Sequence, residues 1–346
     1  MNKKILIFIL AVAVVFLLVL FIRPDLFISP NDQKEITAGY GPKEGCGNLT
    51  IYVLNVSQAD SILIITPKNK TLLIDSGSAI NKESARRVVD FLKSKNIDRI
   101  DVLIATHYHE DHIGGVPMIF SNFEVSSVYE NGNCGNYTSE AQRKFQQYVL
   151  LTKDIVVKND LKIDMDDCVA IRIIAPYAMR GGCWAANKDS NEENENSLVV
   201  HLRYSNVSFL SGGDCEEKCE QILQKRSDIA ADILKLNHHG SSTSSNPYFL
   251  DVVKARYFIM SVDKEKSVAL GYYHPRKDVL ANIYQRSSGN NFFRTDLNGN
   301  VEIISDGRNI EVRPEAVADR CNLFSGYGGP STNSYGPIDE LIPYCS

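Results

Sequence analysis

One short stretch, residues 105–115, constrains the fold of this chain more than any other. It reads Ala-Thr-His-Tyr-His-Glu-Asp-His-Ile-Gly-Gly and directly follows the apolar run Asp101–Ile104. The apolar run predicts a strand, and the two glycines followed by further apolar residues predict a tight turn into a helix. Polar residues of this density at the end of a buried strand indicate a site rather than a surface loop, because a loop does not require so restrictive a pattern.

The side chains of this stretch are typical metal ligands. His107 and His109 leave the strand two positions apart, so both imidazoles can point to one side. Asp111 and His112 lie on the next turn, where a second ion can be held close to the first. Imidazole and carboxylate groups suit zinc, manganese or iron. The motif therefore predicts a centre for divalent metal ions.

Three more polar positions follow predicted strands, at Asp75, Asp214 and His238–His239. We expect them to gather with residues 107–112 along one edge of the fold. Asp214 follows two glycines, which let the backbone approach closely and let one carboxylate bridge two ions. Two ions that share such a ligand can bind a hydroxide between them and hold both oxygens of a displacement. The alternative for Asp214 is a cap on the helix predicted from Cys215.

Other residues are candidates for supporting roles. Asp75 is expected to orient a ligand histidine rather than to bind metal itself. The segment containing His238, His239 and Ser241 is typical of an anion-binding turn, and His274 either contacts a substrate oxygen or shapes its loop. Further phosphate contacts could come from polar residues whose alternative is an ordinary surface role: Lys235, Ser242, Thr243 and Arg276.

The N-terminus predicts a membrane anchor. Residues 5–22 are apolar and uncharged, and they are long enough to cross a bilayer. The preceding Lys3 and Lys4 favour a cytoplasmic N-terminus for residues 1–4, which places the rest of the chain outside. A cleaved signal peptide is the alternative, but no small-x-small site follows the run. Residues 23–46, rich in proline and glycine, are expected to form a stalk.

The cysteines agree with an exported chain. There are eight, widely spaced and without a Cys-x-x-Cys pair, which predicts disulfides in an oxidising compartment, with buried free thiols as the alternative. Eight cysteines allow 105 pairings, and the sequence does not choose among them. Cys215 and Cys219 are one helical turn apart, so each is expected to bond elsewhere.

The order of elements predicts an α/β fold. Residues 49–112 form a β-β-β-α-β unit, and a second strand-rich half begins near residue 197. Two such halves packed face to face give a four-layer α/β/β/α sandwich over residues 47–314. Residues 189–196 are expected to form an acidic surface loop near the mouth of the site. Residues 315–346, rich in glycine, serine and proline, are expected to be a loosely structured tail, tied back through Cys321 or Cys345.

The pattern His-x-His-x-Asp-His-x-Gly-Gly at 107–115 resembles the metallo-β-lactamase superfamily. Further segments resemble the metallo-β-lactamase-like domain of the ComEC family of competence proteins, and together they cover roughly residues 48–312; they lie at 55–64, 73–77, 196–199, 213–214, 231–241 and 273–275. The membrane channel of that family is absent from this sequence, so transport is not implied. Two departures are notable. Ser57 and Ala59 replace common glycines, and Asn196-Ser197 stand where many members have a third histidine for the first metal.

The resemblance implies a di-metal hydrolase that uses a metal-bound hydroxide, with two ions, zinc first and manganese second. His107 and His109 would hold one ion, and Asp214 would bridge to the other, held by Asp111, His112 and His239. Asp111 and His238 would take part in catalysis, although His238 and His239 could exchange roles. The missing third histidine implies a looser first site and argues against hydrolysis of β-lactams or thioesters.

Three functions remain at this point. The first is an extracytoplasmic, membrane-tethered phosphodiesterase or nuclease, with single-stranded DNA or another nucleic acid as a candidate substrate. The second is a hydrolase of an envelope ester, such as a phosphocholine or polymer ester. The formal net charge of −5 favours this second reading over a broad grip on long duplex DNA. The third is an envelope binding module in which metal only stabilises the fold.

Overall fold

The structure is a computed structural model that describes residues 44–80, 82–132, 139–174, 190–287 and 291–327. Two mixed β-sheets pack face to face, and helices cover the outer face of each. The predicted four-layer α/β/β/α arrangement of the folded domain is therefore confirmed. Alternate residues of each central strand face either the opposite sheet or the helices, as the period of two along a strand requires.

The first sheet has eight strands, antiparallel in one half and parallel in the other. Its antiparallel half joins the two ends of the domain, because the strand at Val301–Ser305 pairs with the one at Leu49–Val53. In spatial order the strands are Ile310–Pro314, Val301–Ser305, Leu49–Val53, Ile62–Ile65, Thr71–Ile74, Val102–Ala105, Ser127–Glu130 and Lys153–Val156. A separate short parallel pair joins Arg99–Ile100 and Glu124–Val125.

The second sheet has seven strands and, like the first, an antiparallel half and a parallel half. In spatial order the strands are Phe292–Arg294, Tyr257–Met260, Ile233–Lys235, Val207–Ser211, Val199–Tyr204, Ala170–Ile174 and Leu161–Ile163. The first four run parallel to one another, so their carboxyl ends meet at one edge of the sheet.

The helices alternate with the parallel strands. Against the first sheet lie Glu83–Ser94, Val116–Asn122 and Glu140–Val149, and the short helix Glu110–Ile113 lies within the histidine motif. Against the second sheet lie Glu217–Leu223, Pro247–Val253, Lys277–Ser287 and Arg320–Leu323. In the described part of the chain, the other helical segments are Ser190–Glu195, the short 3₁₀ turn Asn237–Gly240, Lys264–Ala269 and Thr295–Asn298.

Three apolar clusters hold these layers together. The central one, between the sheets, joins Ile64 and Ile104 of the first sheet to Val200 and Phe209 of the second. The other two lie between each sheet and its helices. Burial on both faces explains why the central strands are continuous apolar runs in the sequence.

The prediction of a loop at residues 189–196 is wrong, because Ser190–Glu195 forms a short helix. Two of its acidic side chains accept hydrogen bonds from backbone N–H groups. A Glu193 carboxylate oxygen accepts from the Tyr108 N–H at 2.8 Å, and Glu195 accepts from the N–H groups of Lys218 and Cys219 at 3.1 and 2.7 Å. Carboxylates are favourable at the start of a helix, which here is Glu217–Leu223.

The expectation that Cys215 and Cys219 bond elsewhere is wrong, because they form a disulfide with each other. The helix begins at Glu217 rather than at Cys215, and Glu216 is extended, so the two cysteines are not one regular turn apart. Their Cα atoms are 5.4 Å apart, within the range a disulfide needs. Cys46 pairs with Cys168, and every cysteine of the described residues is in a disulfide.

The structure describes part of the predicted C-terminal tail but none of the predicted N-terminal anchor. The predicted stalk and tail extend beyond the described residues, but the first part of the tail packs on the domain, with Leu323 and Phe324 buried among the helices of the second sheet. Among the described residues, no helix has the length and apolar character needed to span a bilayer. The run at residues 5–22 lies outside them, so the anchor stays a prediction.

Candidate metal centre

Ligand-type side chains meet where the parallel strands of both sheets end. His107 follows the strand Val102–Ala105, and Asp214 follows Val207–Ser211. The His107 Nε2 atom lies 3.0 Å from His109 Nδ1 and 3.9 Å from the Asp214 carboxylate. Ligand atoms of these three residues all lie within 4.8 Å of one another. We call this set the outer group, because His109 lines an open cavity.

A second cluster, which we call the inner group, shares Asp214 with the first and adds Asp60, His112 and His239, all of them buried. The Nε2 atoms of His112 and His239 lie 3.3 and 3.6 Å from the same Asp214 oxygen, Oδ1. Asp111 borders this group, with Oδ2 at 3.3 Å from His239 Nε2. The six residues predicted as metal ligands are thus brought together, and Asp214 alone lies in both groups.

The polar atoms of the inner group fit a cation better than they fit one another. His112 Nε2, His239 Nε2, Asp214 Oδ1 and Asp60 Oδ1 are buried, and none has a hydrogen-bond partner within the described part of the chain. A buried polar atom without a partner costs about 1–3 kcal/mol, so four such atoms in one group require another explanation. Imidazole nitrogens and carboxylate oxygens at such spacing are the donor set of zinc and similar divalent ions.

Asp75 fixes the orientation of His112 from behind. Its Oδ2 accepts from the Thr106 hydroxyl and lies 2.8 Å from His112 Nδ1, while Oδ1 accepts from the Thr106 N–H at 2.8 Å. This arrangement leaves His112 Nε2 directed at Asp214. His239 is held in the same way, with Nδ1 at 2.9 Å from the Ser261 carbonyl oxygen. Such contacts fix the tautomer and the ring plane of a ligand histidine.

The turn after the strand Ile233–Lys235 separates the two adjacent histidines. His238 and His239 have φ angles of 47° and 52°, and Gly240 continues at 81°, so three successive residues lie in the left-handed region. Non-glycine residues in this region are uncommon and cluster at functional sites. The turn directs His239 into the inner group. It leaves His238 at the wall of the cavity, with Nδ1 at 3.0 Å from Glu216.

A cavity of about 550 Å³ opens onto both groups. Asp111, Asp214 and His239 lie at its base, and His238 and His274 line one wall. The cavity therefore gives a ligand of small-molecule size access to the metal-binding residues, which matches the size range of substrate pockets.

The charges of the inner group favour the protonated forms of its histidines. Burial opposes a charged His112, but the carboxylates of Asp214, Asp75 and Asp111 together raise its pKa well above its ordinary value. The pKa of His239 is raised in the same way, chiefly by Asp214 and Asp60 against burial. In the outer group, burial and the neighbouring histidines lower the pKa of His107 well below its ordinary value. Bound cations would replace the protons of the inner group.

Sequence reasoning did not identify Asp60, and it identified Lys235 only as a candidate phosphate contact. The Lys235 ammonium is fully buried and pairs with Asp60 Oδ2, while Asp60 Oδ1 faces His239 at 3.7 Å. Lys235 is the last residue of a buried strand and therefore cannot reach a substrate phosphate from the surface, as the sequence had suggested. The signal was a lysine inside an otherwise apolar run, since a buried lysine requires a partner.

The remaining predicted residues are placed as follows. His274 is buried in the cavity wall, with its ring centroid 5.4 Å from that of His238 and Gln58 Nε2 at 3.5 Å from its Nδ1. Ser241 does not line the cavity; its hydroxyl contacts the Thr243 hydroxyl at 2.9 Å. Glu216 and Asn194, which the sequence did not single out, both contact His238.

Comparison with known proteins agrees with this geometry. The family model described as the Metallo-beta-lactamase superfamily matches residues 54–184, which contain the histidine motif. ComE operon protein 3 of Bacillus subtilis is 25% identical over 266 residues, 72% of this chain and 32% of that protein. Competence protein ComA of Neisseria gonorrhoeae is 25% identical over 261 residues, 72% of this chain and 31% of that protein. The chain thus spans about a third of the length of these relatives.

Among solved structures, the chain is similar to the metallo-beta-lactamase fold protein YhfI from Bacillus subtilis. The two share 13% sequence identity with a TM-score of 0.42, over 62% of this chain and 85% of that one.

Proposed function

Because the chain carries a metallo-β-lactamase superfamily domain, we propose that it is a di-metal phosphodiesterase that cleaves single-stranded nucleic acid. The observation that carries the proposal is the shared carboxylate of Asp214, which lies within reach of both ligand groups. Hydrolases of phosphodiesters commonly use paired metal ions in this way. The similarity to competence proteins supports nucleic acid as the substrate class.

Each ligand group is assigned one ion. His107 and His109 would hold the outer ion, and His112 and His239 of the inner group, with the neighbouring Asp111, would hold the inner one; Asp214 would be shared by both. Ions bound there would activate a water as nucleophile and stabilise the charge that develops on the phosphoryl oxygens. Zinc suits this mixture of nitrogen and oxygen donors best, with manganese as the next candidate.

His238 is assigned the proton transfer to the leaving oxygen. Its ring lines the cavity beside Asp214, and its Nδ1 atom lies 3.0 Å from Glu216 and from the Thr243 hydroxyl. Glu216 also accepts from Asn194 Nδ2 at 3.0 Å, which fixes the carboxylate. An imidazole held by a carboxylate on one nitrogen is oriented to donate or accept a proton at the other.

The proposed location is outside the cell membrane. The apolar run at residues 5–22 would anchor the chain, with residues 1–4 in the cytoplasm. The disulfides Cys46–Cys168 and Cys215–Cys219 support an oxidising compartment, where such bonds persist.

The test is hydrolysis by the full-length chain, supplied with Zn²⁺ or Mn²⁺, of bis(p-nitrophenyl) phosphate and of single-stranded DNA. The variants Asp111→Ala and Asp214→Ala should each lose most of the activity, and Glu265→Gln, which changes an exposed carboxylate, should keep it. Activity that is indifferent to both alanine variants rejects the proposal. Hydrolysis of glycerophosphocholine but not of DNA would support an envelope ester instead, and no turnover of any ester by metal-loaded protein would support a binding module.

A further inference from the structure

An exposed tyrosine stands at the mouth of the cavity. Tyr272 lines the cavity and is 50% exposed, which is unusual for a large aromatic residue held in a folded loop. One face of its ring stacks on the buried His274, with centroids 5.9 Å apart and planes inclined by 24°. The ring is therefore supported from one side and offers its other side to whatever enters the cavity.

The loop that carries Tyr272 is fixed before any ligand arrives. The Ser267 carbonyl oxygen accepts from the Tyr272 N–H at 2.9 Å, and its hydroxyl accepts from the His274 N–H at 2.7 Å. Tyr273 has a φ of 58°, and its ring meets Tyr327 edge-on with centroids 5.9 Å apart. A non-glycine residue stays in this region only when its surroundings hold it there. The loop that carries Tyr272 is thus preorganised, so little ordering of the chain is required when a ligand binds.

The surroundings of Tyr272 favour a flat, largely apolar group beside an anionic one. Ile80 is 70% exposed and lines the same cavity, as does Leu270. Lys266 lines it too and adds a positive charge, while the metal-binding residues lie at its base. Tyr272 lines the same cavity as Asp111, Glu110 and Asp214, and burial together with these carboxylates raises the pKa of its phenol.

We propose that Tyr272 is a stacking platform for a nucleobase next to the scissile phosphodiester, and that it determines specificity for single-stranded nucleic acid. This proposal rests on the proposed function, and it names Tyr272 as a residue that contacts the substrate. Every base has a π face, so stacking on one aromatic ring is strong but tolerant of sequence. A base within a duplex is already stacked on its neighbours, which explains why an unpaired strand is the expected substrate.

A quaternary ammonium group is the other ligand that aromatic rings recognise, and the geometry disfavours it here. Such ligands are bound in cages, where several aromatic faces surround the cation. Tyr272 offers a single open face, because the ring of His274 is stacked on the other. Carboxylates also line this cavity, so the single open face of Tyr272, and not the charge of the cavity, disfavours a quaternary ammonium group, while Lys266 is a positive group that could pair with a phosphate.

The experiment measures binding of two labelled oligonucleotides by fluorescence anisotropy, using the full-length chain with Zn²⁺. Both are short, single-stranded and linked by slowly cleaved phosphorothioates; one carries all its bases and the other is abasic throughout. The wild-type chain should bind the intact strand more tightly than the abasic one. Tyr272→Ala should weaken binding of the intact strand by about 5- to 150-fold and leave the abasic strand unchanged.

Two controls isolate the ring. Tyr272→Phe keeps the aromatic face and should bind like wild type. Tyr248→Ala removes a tyrosine that is even more exposed but does not line the cavity, and it should have no effect. Equal binding of the two strands by wild type, or equal weakening of both by Tyr272→Ala, overturns the platform. Weakening confined to glycerophosphocholine also overturns it, in favour of a quaternary ammonium ligand.

The two proposals fail in different ways. If wild type cleaves DNA but binds intact and abasic strands equally, the platform is wrong and the phosphodiesterase stands. If wild type prefers the intact strand through Tyr272 but cleaves no phosphodiester, the platform stands and the proposed activity is wrong.

Discussion

The outer and inner groups share a ligand but differ in how they are built. The inner group is the more enclosed of the two: all its members are buried, although Asp214 and His239 also line the cavity, and Asp75 and the Ser261 carbonyl fix its two histidines from behind. The outer group is open, because His109 lines the cavity and Ser197 stands beside His107, with Oγ at 3.4 Å from its Nδ1. The inner group is therefore preorganised to retain an ion, and the outer group is accessible to substrate.

The largest expected effect comes from removing the shared ligand. Asp214→Ala should abolish retention of both ions, whereas His109→Ala should remove only the outer one, because the inner group keeps its own residues. Metal content after dialysis, measured by inductively coupled plasma mass spectrometry, checks this. Equal metal content in the two variants would contradict the division into two groups.

The next largest effect concerns the buried ion pair between Lys235 and Asp60 of the inner group. Lys235→Met leaves the Asp60 carboxylate buried and unpaired, which should reduce the free energy of unfolding by about 3–5 kcal/mol. The double variant Asp60→Leu, Lys235→Met removes both charges and should recover most of that loss. Urea denaturation measures both.

Lys68→Met provides the matched control for that pair, since Lys68 pairs with Asp167 at the surface and should give no measurable change. A double variant no more stable than Lys235→Met would show that the lysine acts through packing rather than through charge.

A smaller effect distinguishes the residues that hold the ligand histidines of the two groups in position. Asp75→Asn removes the charge behind His112 and should weaken binding of the inner ion by about 10- to 100-fold, with the fold intact. Ser197→Ala should weaken the outer ion by less than about ten-fold, because the Ser197 hydroxyl is a weaker partner. Competition with a chromophoric chelator measures both constants, and a larger effect of Ser197→Ala would reverse the comparison.

The smallest expected difference is in pH dependence. The carboxylates hold the pKa values of His112 and His239 above the ordinary value, which favours protonated rings whose protons the inner ion must displace. His107 has a lowered pKa and is already neutral. Affinity for the inner ion should therefore rise more steeply with pH than affinity for the outer ion. Calorimetric titration in buffers of different ionisation enthalpy counts the released protons, and equal release from both groups would contradict the account.

Local pattern was sufficient to predict most of the fold. Apolar runs of the right length marked the central strands, and the polar residues after them marked the edge where Asp75, the histidine motif, Asp214 and His239 meet. The prediction succeeded because a buried strand and a ligand at its end both leave a signal within a few residues.

The features that sequence missed depend on contacts between distant segments. Glu195 lies in an acidic segment typical of a surface loop, yet its carboxylate accepts from backbone N–H groups at the start of the helix that begins at Glu217. Asp60 and Lys235 are 175 positions apart, and neither position shows its partner. The choice between His238 and His239 depends on backbone angles that the two identical residue types cannot reveal.

The most direct test of the shared centre is anomalous diffraction at the zinc edge from crystals of zinc-loaded protein. The account predicts two peaks on either side of the Asp214 carboxylate, one beside His107 and His109 and the other beside His112 and His239. A single peak, or peaks away from Asp214, would contradict it.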